Sequence, residues 1–397
     1  MGRGPVRDDG RVDLDAFRWL LTDAGQRLLE RAADAPADPL RASSLLRRDA
    51  TPEHVAAALT QVGLRRRGEA KFGEDAARMY FTPDGLEQAT RAPVARHRAA
   101  RLQAAQVGTA IDLGCGIGGD LVAIASAGIT AAGVDLDPLR VEVARANLAA
   151  LDLGGAVSVA DATEVAHGGF DVAFADPARR NARGRTFAVD DWTPPWPFVL
   201  ELLARTACVK VAPGIPHDLV PEGVEAEWVS DHGEVKEAAL WSGRLATTGR
   251  RATVIGDGGL ATLTEEDAPT DAEVRAVGGF LYEPDGAVIR AGLVTAVAVG
   301  VGGGLVDEHI AYVTADEAFR TPFARSYRVL DELPYKEKQL RAALRERGVG
   351  RLTIKKRGVE IVPEELRKRL ALTGDSEGTI VLTRVAGKGV CLLVEPF

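Results

Sequence analysis

At 397 residues, 46% hydrophobic and 27% charged, the chain has room for two or three domains and the balance of an ordinary globular protein. A net charge of -8 excludes nucleic-acid binding by bulk charge and leaves only local basic patches for that task. The three cysteines, Cys115, Cys208 and Cys391, are odd in number and form no CxxC pair, which argues against a disulfide framework and a zinc site and fits a cytoplasmic chain.

The first ten residues, MGRGPVRDDG, lack the apolar core of a signal peptide. Residues 11 to about 100 read as helical: Leu14, Phe17, Leu20 and Leu21 recur at helical spacing, and Pro36 and Pro39 interrupt it. Thr51-Pro52-Glu53-His54 has the form of an N-cap followed by proline at N1, opening a helix through Leu59. A further helix is expected over 84–102. From about residue 108 the pattern changes to strand–helix alternation. Strands are expected at 109–113, 131–134, 157–159, 172–175 and 208–211, with helices at 120–127, 138–150 and 199–204 between them. This order predicts a Rossmann-like, doubly wound and mainly parallel α/β sheet, closed by an antiparallel pair at 225–229 and 238–241. The apolar run 291–306 is too short and glycine-rich for a membrane span and is expected to be a buried helix followed by a glycine loop. The last segment predicts a small α+β module: helix 336–347, strand 351–355, helix 363–370 and a hairpin of 379–385 with 389–394 across Ala386-Gly387-Lys388. The expected division is an N-terminal helical region (1–100), the α/β domain (101–248), a glycine-rich α/β extension (249–330) and the C-terminal module (331–397).

Chemistry concentrates at the strand ends. Ile111-Asp112-Leu113-Gly114-Cys115-Gly116-Ile117-Gly118-Gly119-Asp120 runs from a strand through a glycine turn into a helix, so a ligand can lie against the main chain of Gly114, Cys115 and Gly116. The glycines alone also satisfy the dinucleotide pattern. Asp112 opposes a pyrophosphate but suits a cationic sulfonium and its amino group. Asp135, 23 residues further on and followed by Leu136, can accept the hydroxyls of a ribose. Asp161 can accept from an adenine amino group, and the Ala162 amide can reach a ring nitrogen. Asp176-Pro177 follows the fourth strand, where ligand chemistry sits in this architecture, so Asp176 is placed to face the acceptor.

Together these residues resemble the class I S-adenosylmethionine (SAM)-dependent methyltransferases over roughly residues 70–245, with SAM as the implied cofactor and no metal. Tyr80-Phe81-Thr82-Pro83 with Leu86-Glu87-Gln88-Ala89-Thr90 resembles the element before the glycine motif in trimethylguanosine synthase-like enzymes. That resemblance implies that Phe81 and Thr82 cover the cofactor. The KKRG strand, the PEELRKRL helix and the final hairpin resemble the THUMP-like domain fused to such methyltransferases in bacteria, which implies an RNA acceptor, a base in tRNA or rRNA.

The chain departs from its amino-methylating relatives at Asp176-Pro177-Ala178-Arg179: the second proline and the base-stacking aromatic are gone. Trp192 and Trp196 could supply stacking, or could be core or lid packing. Arg179, Arg180, Arg183 and Arg185, and in the C-terminal module Lys355, Lys356 and Arg357, are candidate RNA contacts or solvated basic faces. The rival readings are a small-molecule methyltransferase, a nicotinamide-dependent oxidoreductase and a non-catalytic RNA-binding protein that keeps the SAM fold.

Overall fold

A computed structural model describes residues 13–48, 50–179 and 192–397, with the backbone alone at Ala178 and Arg179. The chain divides into two compact units, Met1–Val211 with Leu240–Ala246, and Ala212–Ala239 with Thr247–Phe397.

The first unit begins with helices α1 (Leu14–Leu20), α2 (Asp23–Ala33), α3 (Pro39–Leu46), α4 (Pro52–Phe72), α5 (Pro83–Gln88) and α6 (Ala92–Ala104). Their starts are written in the sequence. Asp38-Pro39, Thr51-Pro52 and Thr82-Pro83 each place a side-chain acceptor at the N-cap and proline just inside. The stretch 84–102, expected as one helix, is two, because the chain turns extended at Ala89 and re-enters a helix with Pro93 in the first turn.

The sheet of this unit contains β1 (Thr109–Leu113), β2 (Thr130–Asp135), β3 (Ala156–Val159), β4 (Val172–Ala175) and, later in the chain, β7 (Ala207–Val211). All run parallel, in the order β7-β4-β1-β2-β3. Helices α7 (Gly119–Ser126), α8 (Pro138–Ala150) and α9 (Trp196–Leu203) make the crossovers. From β1 the chain winds one way to β2 and β3, then returns to the other side for β4 and β7. The carboxyl ends of β1 and β4 therefore flank the switch point where such sheets bind ligands. Between β4 and α9, the short strands β5 (Ala178–Arg179) and β6 (Trp192–Thr193) pair antiparallel.

Buried amides fasten the helical region to this sheet. Asn147 of α8 accepts from the Tyr80 amide at 2.6 Å and donates to the carbonyls of Tyr80 (3.1 Å) and Ile117 (2.8 Å). Gln61 of α4 brackets Phe81 in the same way, donating to its carbonyl at 2.6 Å and accepting from its amide at 3.0 Å. The Lys71 ammonium gathers the carbonyls of Leu86, Glu87 and Ala89, satisfying the open C-terminus of α5.

The second unit holds β8 (Glu225–Asp231) and β9 (Glu234–Trp241) as far as Ala239, neighbours joined through His232 (φ 52°) and Gly233 (φ 79°), a two-residue link that makes an antiparallel hairpin. Strand β10 (Arg250–Gly256) runs parallel to β8 and pairs antiparallel with β11 (Gly259–Thr264). A second sheet then joins β12 (Phe280–Pro284), β13 (Gly304–Asp307), β14 (Ile310–Ala315), β15 (Ala324–Leu333), β16 (Val349–Lys356), β17 (Ser376–Val385) and β18 (Lys388–Pro396) in the order β13-β14-β12-β15-β18-β17-β16. The apolar run 291–306 is not one helix. It takes in the end of α10 (Gly286–Ala291), a left-handed Gly292, α11 (Val294–Gly300) and β13. Helices α12 (Glu337–Glu346) and α13 (Pro363–Leu370) follow the expected bounds closely.

These units cut the chain differently from the four sequence segments. Strand β15 starts before residue 331 and hydrogen-bonds both β12 and β18, so segments 249–330 and 331–397 share one sheet. Local pattern marks each strand but does not say which distant strand it joins.

Replacing Asn147 by Ala should destabilise the protein by about 1–3 kcal/mol for each backbone group left buried without a partner. Thermal unfolding of the variant beside Gln61→Ala measures this. Both should lower Tm by several degrees.

Candidate active site

The carboxyl ends of the parallel strands open into a cavity of about 1140 Å³, whose wall includes Asp112, Gly114, Cys115, Gly116, Asp135, Leu136, Asp161, Ala162, Asp176 and Lys210. Small-molecule pockets hold roughly 300–1,000 Å³. This one has space for a nucleoside cofactor and part of a second reactant. The acids expected at four strand tips thus meet at one cavity.

The glycine turn is shaped for close approach. Gly114 (φ 100°) and Gly116 (φ 55°) hold conformations that suit glycine, and a Cβ at either would meet nothing within 4 Å. The amides of Gly114 and Cys115 donate to Val134 O, both at 2.9 Å, and the Gly116 amide to Asp135 Oδ2 at 2.9 Å. These amides are engaged within the protein and do not form an open cradle for a pyrophosphate. A carboxylate stands at the turn instead.

Asp135 also accepts from the Asp137 amide at 2.9 Å. Each oxygen keeps a lone pair that can take a ribose hydroxyl. Leu136, beside it, is 62% exposed, an apolar side chain available to a flat ring. Asp161 is held by the Thr163 amide (2.9 Å) and hydroxyl (2.7 Å), both on Oδ1, and these bonds keep its carboxyl below the usual range.

Asp112 differs from all of these. It is buried, and its Oδ1 has no hydrogen-bond partner among the described residues. Burial, and then the neighbouring charge of Asp176, push its pKa up to about 8. A buried carboxyl without a donor, facing a cavity, fits a ligand that brings a cation and N–H groups. The sulfonium and ammonium of SAM meet that requirement, and the pyrophosphate of a dinucleotide does not.

Sequence reasoning missed Lys210. Ala175 of β4 pairs with Val209 of β7, so the next residue on each strand, Asp176 and Lys210, lie side by side. The Lys210 ammonium donates to Asp176 Oδ2 at 2.6 Å and to the Thr90 hydroxyl at 3.2 Å. The Thr90 hydroxyl in turn donates to Asp120 Oδ2 at 2.8 Å, and Asp120 forms a buried ion pair with Arg98, whose guanidinium lies 4.5 Å over the Phe174 ring. The signal was present: a lysine inside the apolar strand Ala207–Val211.

Several expected residues lie elsewhere. Phe81 is fully buried among the N-terminal helices, and Thr82 caps α5 by accepting from the Gly85 amide. Neither is on the cavity wall, which is formed there by Gly85, Gln88, Ala89 and Thr90. Pro177 is also off the wall. Trp192 is buried and packs edge to face on Trp196 at 5.2 Å; the wall takes their neighbours Thr193, Pro194, Pro195 and Pro197. The basic cluster at Arg179, Arg180, Arg183 and Arg185 lies outside the described residues, save the Arg179 backbone. In the second unit Lys355 is tied to Glu283 at 2.6 Å and Arg357 packs 5.5 Å over Tyr312, while Lys356 is exposed. The basic run is therefore split by strand alternation. Among the described residues no group of His, Cys, Asp and Glu is arranged to hold a metal, and no helix is long and apolar enough to cross a membrane.

A parallel α/β sheet with a glycine turn and acids at its strand ends, all lining one cavity, fits a SAM-dependent methyltransferase. The chain belongs to that family: it is 39% identical over 334 residues to an uncharacterized S-adenosylmethionine-dependent methyltransferase found in two strains of Mycobacterium tuberculosis, covering 81% of this chain and 90% of the relative. A structure described as a methyltransferase, from Porphyromonas gingivalis W83, shares the fold with a TM-score of 0.71 at 23% identity, over 96% of this chain and 97% of that one. The family model for a THUMP domain-like region matches residues 324–396, and that for a domain of unknown function matches 13–68.

Replacing Asp112 by Asn should weaken SAM binding about 10- to 100-fold, the scale of one or two charge-assisted hydrogen bonds. The same change should relieve the folded state. The free aspartate ionises near pH ~4 when unfolded but near 8 when folded, so the native protein loses stability across that window as pH rises. The Tm difference should move in favour of Asp112→Asn from pH 4 to pH 8. In the parent, SAM binding should tighten over the upper part of that range and release a proton. Calorimetry in buffers of different ionisation enthalpy checks both.

Proposed function

We propose that this methyltransferase modifies a base in RNA, either tRNA or rRNA, in the cytoplasm. The observation that carries the reading is the THUMP domain-like match over 324–396, on the same chain as a strand-end cavity of about 1140 Å³. The three buried thiols, Cys115, Cys208 and Cys391, support a reducing compartment.

In this reading SAM supplies an electrophilic methyl carbon on a sulfonium centre. Asp112 holds its amino-acid end, with Gly114, Cys115 and Gly116 lying along it. Asp135 and Leu136 hold the ribose, and Asp161 with the Ala162 amide holds the adenine. Asp176 faces the acceptor, and Pro177 stiffens the turn that carries it. Catalysis is then chiefly alignment and electrostatics. Lys356 and Lys368, exposed on β16 and α13, are the basic residues best left for phosphate contact, since Lys355 and Arg369 are already paired with Glu283 and Glu337.

The test is transfer of labelled methyl from SAM into total RNA of cells lacking this protein. Label in RNA is expected; SAM binding without label would favour a small-molecule acceptor. Truncation at 331 would strip strands from a continuous sheet, so charge reversal is the cleaner probe of the C-terminal module. Lys356→Glu with Lys368→Glu should raise KM for RNA and reduce its salt dependence by about two phosphate contacts, leaving SAM affinity unchanged.

A further inference from the structure

The Asp176–Lys210 pair carries information about the acceptor, given the RNA reading above. A lysine ammonium has three N–H donors. Asp176 Oδ2 at 2.6 Å and Thr90 Oγ1 at 3.2 Å take two of them. Among the described residues nothing takes the third, and nothing donates to Asp176 Oδ1. Both side chains line the cavity. The pair therefore offers a reactant one N–H donor and one carboxylate oxygen, side by side.

A nucleobase edge matches such a pair when it places an N–H beside an acceptor atom. Two kinds of edge do so: the lactam edge of guanine or uracil, N–H beside C=O, and the amidine edge of adenine or cytosine, amino N–H beside a ring nitrogen. Charge separates them. Methylation of an amino group builds positive charge on the base, which the Lys210 cation opposes. Methylation of a lactam nitrogen removes its proton and throws negative charge onto the neighbouring carbonyl oxygen, where an ammonium N–H is most useful.

We propose that the acceptor is the ring nitrogen of a lactam edge, in guanine or uracil, with Asp176 as proton acceptor and Lys210 as oxyanion donor. Asp176 Oδ1 takes the N–H proton. The freed nitrogen electron pair forms the new N–C bond, the carbon–sulfur bond breaks, and its electrons stay on sulfur as a neutral thioether. Thr90 keeps the Lys210 ammonium in line, and Asp120 and Arg98 keep Thr90 in line.

The full-length protein, labelled SAM and RNA from cells lacking it provide the test, read by nucleoside mass spectrometry. Label is expected in guanosine or uridine methylated on the ring nitrogen beside the carbonyl. Label on an exocyclic amino group, a carbon or a ribose hydroxyl would overturn this inference and leave the RNA reading standing. A protein that binds SAM yet labels no RNA would overturn both. Lys210→Met should lower kcat about 100-fold, as for loss of one oxyanion donor, with a much smaller change in SAM affinity; Lys210→Arg should restore part of the loss. For Asp176→Asn, activity should recover with rising pH, as solvent takes over proton removal. An unchanged kcat in Lys210→Met, or a flat pH profile in Asp176→Asn, counts against the pair's proposed roles. If Lys210→Met misfolds, the Arg variant and the Asp176→Asn profile decide.

Discussion

A buried carboxyl with no hydrogen-bond partner for Oδ1 among the described residues dominates this structure. Asp112 sits near the end of the first parallel strand, out of water, beside two further acids whose effect, with that of burial, outweighs the cations of Arg98 and Lys210. Leaving it ionised there without a hydrogen-bond donor is costly, and leaving it protonated wastes the charge. Such a carboxyl suits a positively charged ligand with N–H groups. The rest of the cavity follows that logic: Asp135 occupies the turn where a phosphate-binding protein would leave open amides, and Asp161 and Leu136 extend the wall by a ring and its edge.

Such a site needs a wall on its open side, and the N-terminal helices supply one through polar clamps. Gln61 and Asn147 hold the extended backbone at Tyr80 and Phe81, and Lys71 gathers the loose end of α5. The consequence is the placement of Gln88, Ala89 and Thr90 on the cavity wall. Phe81 and Thr82, expected to touch the cofactor, instead anchor the element that does the lining. The segment expected to cover the cavity reaches its wall through Gly85 and Gln88 to Thr90 and not through Phe81 or Thr82, because caps and buried amides decide which side of a short helix faces inward.

The second unit shows how pairing redistributes charge. Lys355, Lys356 and Arg357 are adjacent in sequence, but a strand sends neighbours to opposite faces. Glu283 from a distant strand then neutralises Lys355. A basic run on paper becomes one exposed lysine and two internally engaged cations.

Local chemistry sufficed for much of this protein. Glycines after an apolar strand, acids at successive strand ends, and Thr-Pro and Asp-Pro at helix starts are short-range signals, and they located the doubly wound sheet and the acids that line its cavity from the sequence alone. The tertiary structure decided what depends on separation in the chain. It brought Lys210 against Asp176, 34 residues earlier, joined β15 to both β12 and β18 across the expected domain boundary, and turned Trp192 onto Trp196 rather than into the cavity. Register between strands and the burial of a side chain are set by partners far along the chain, and no local pattern encodes them.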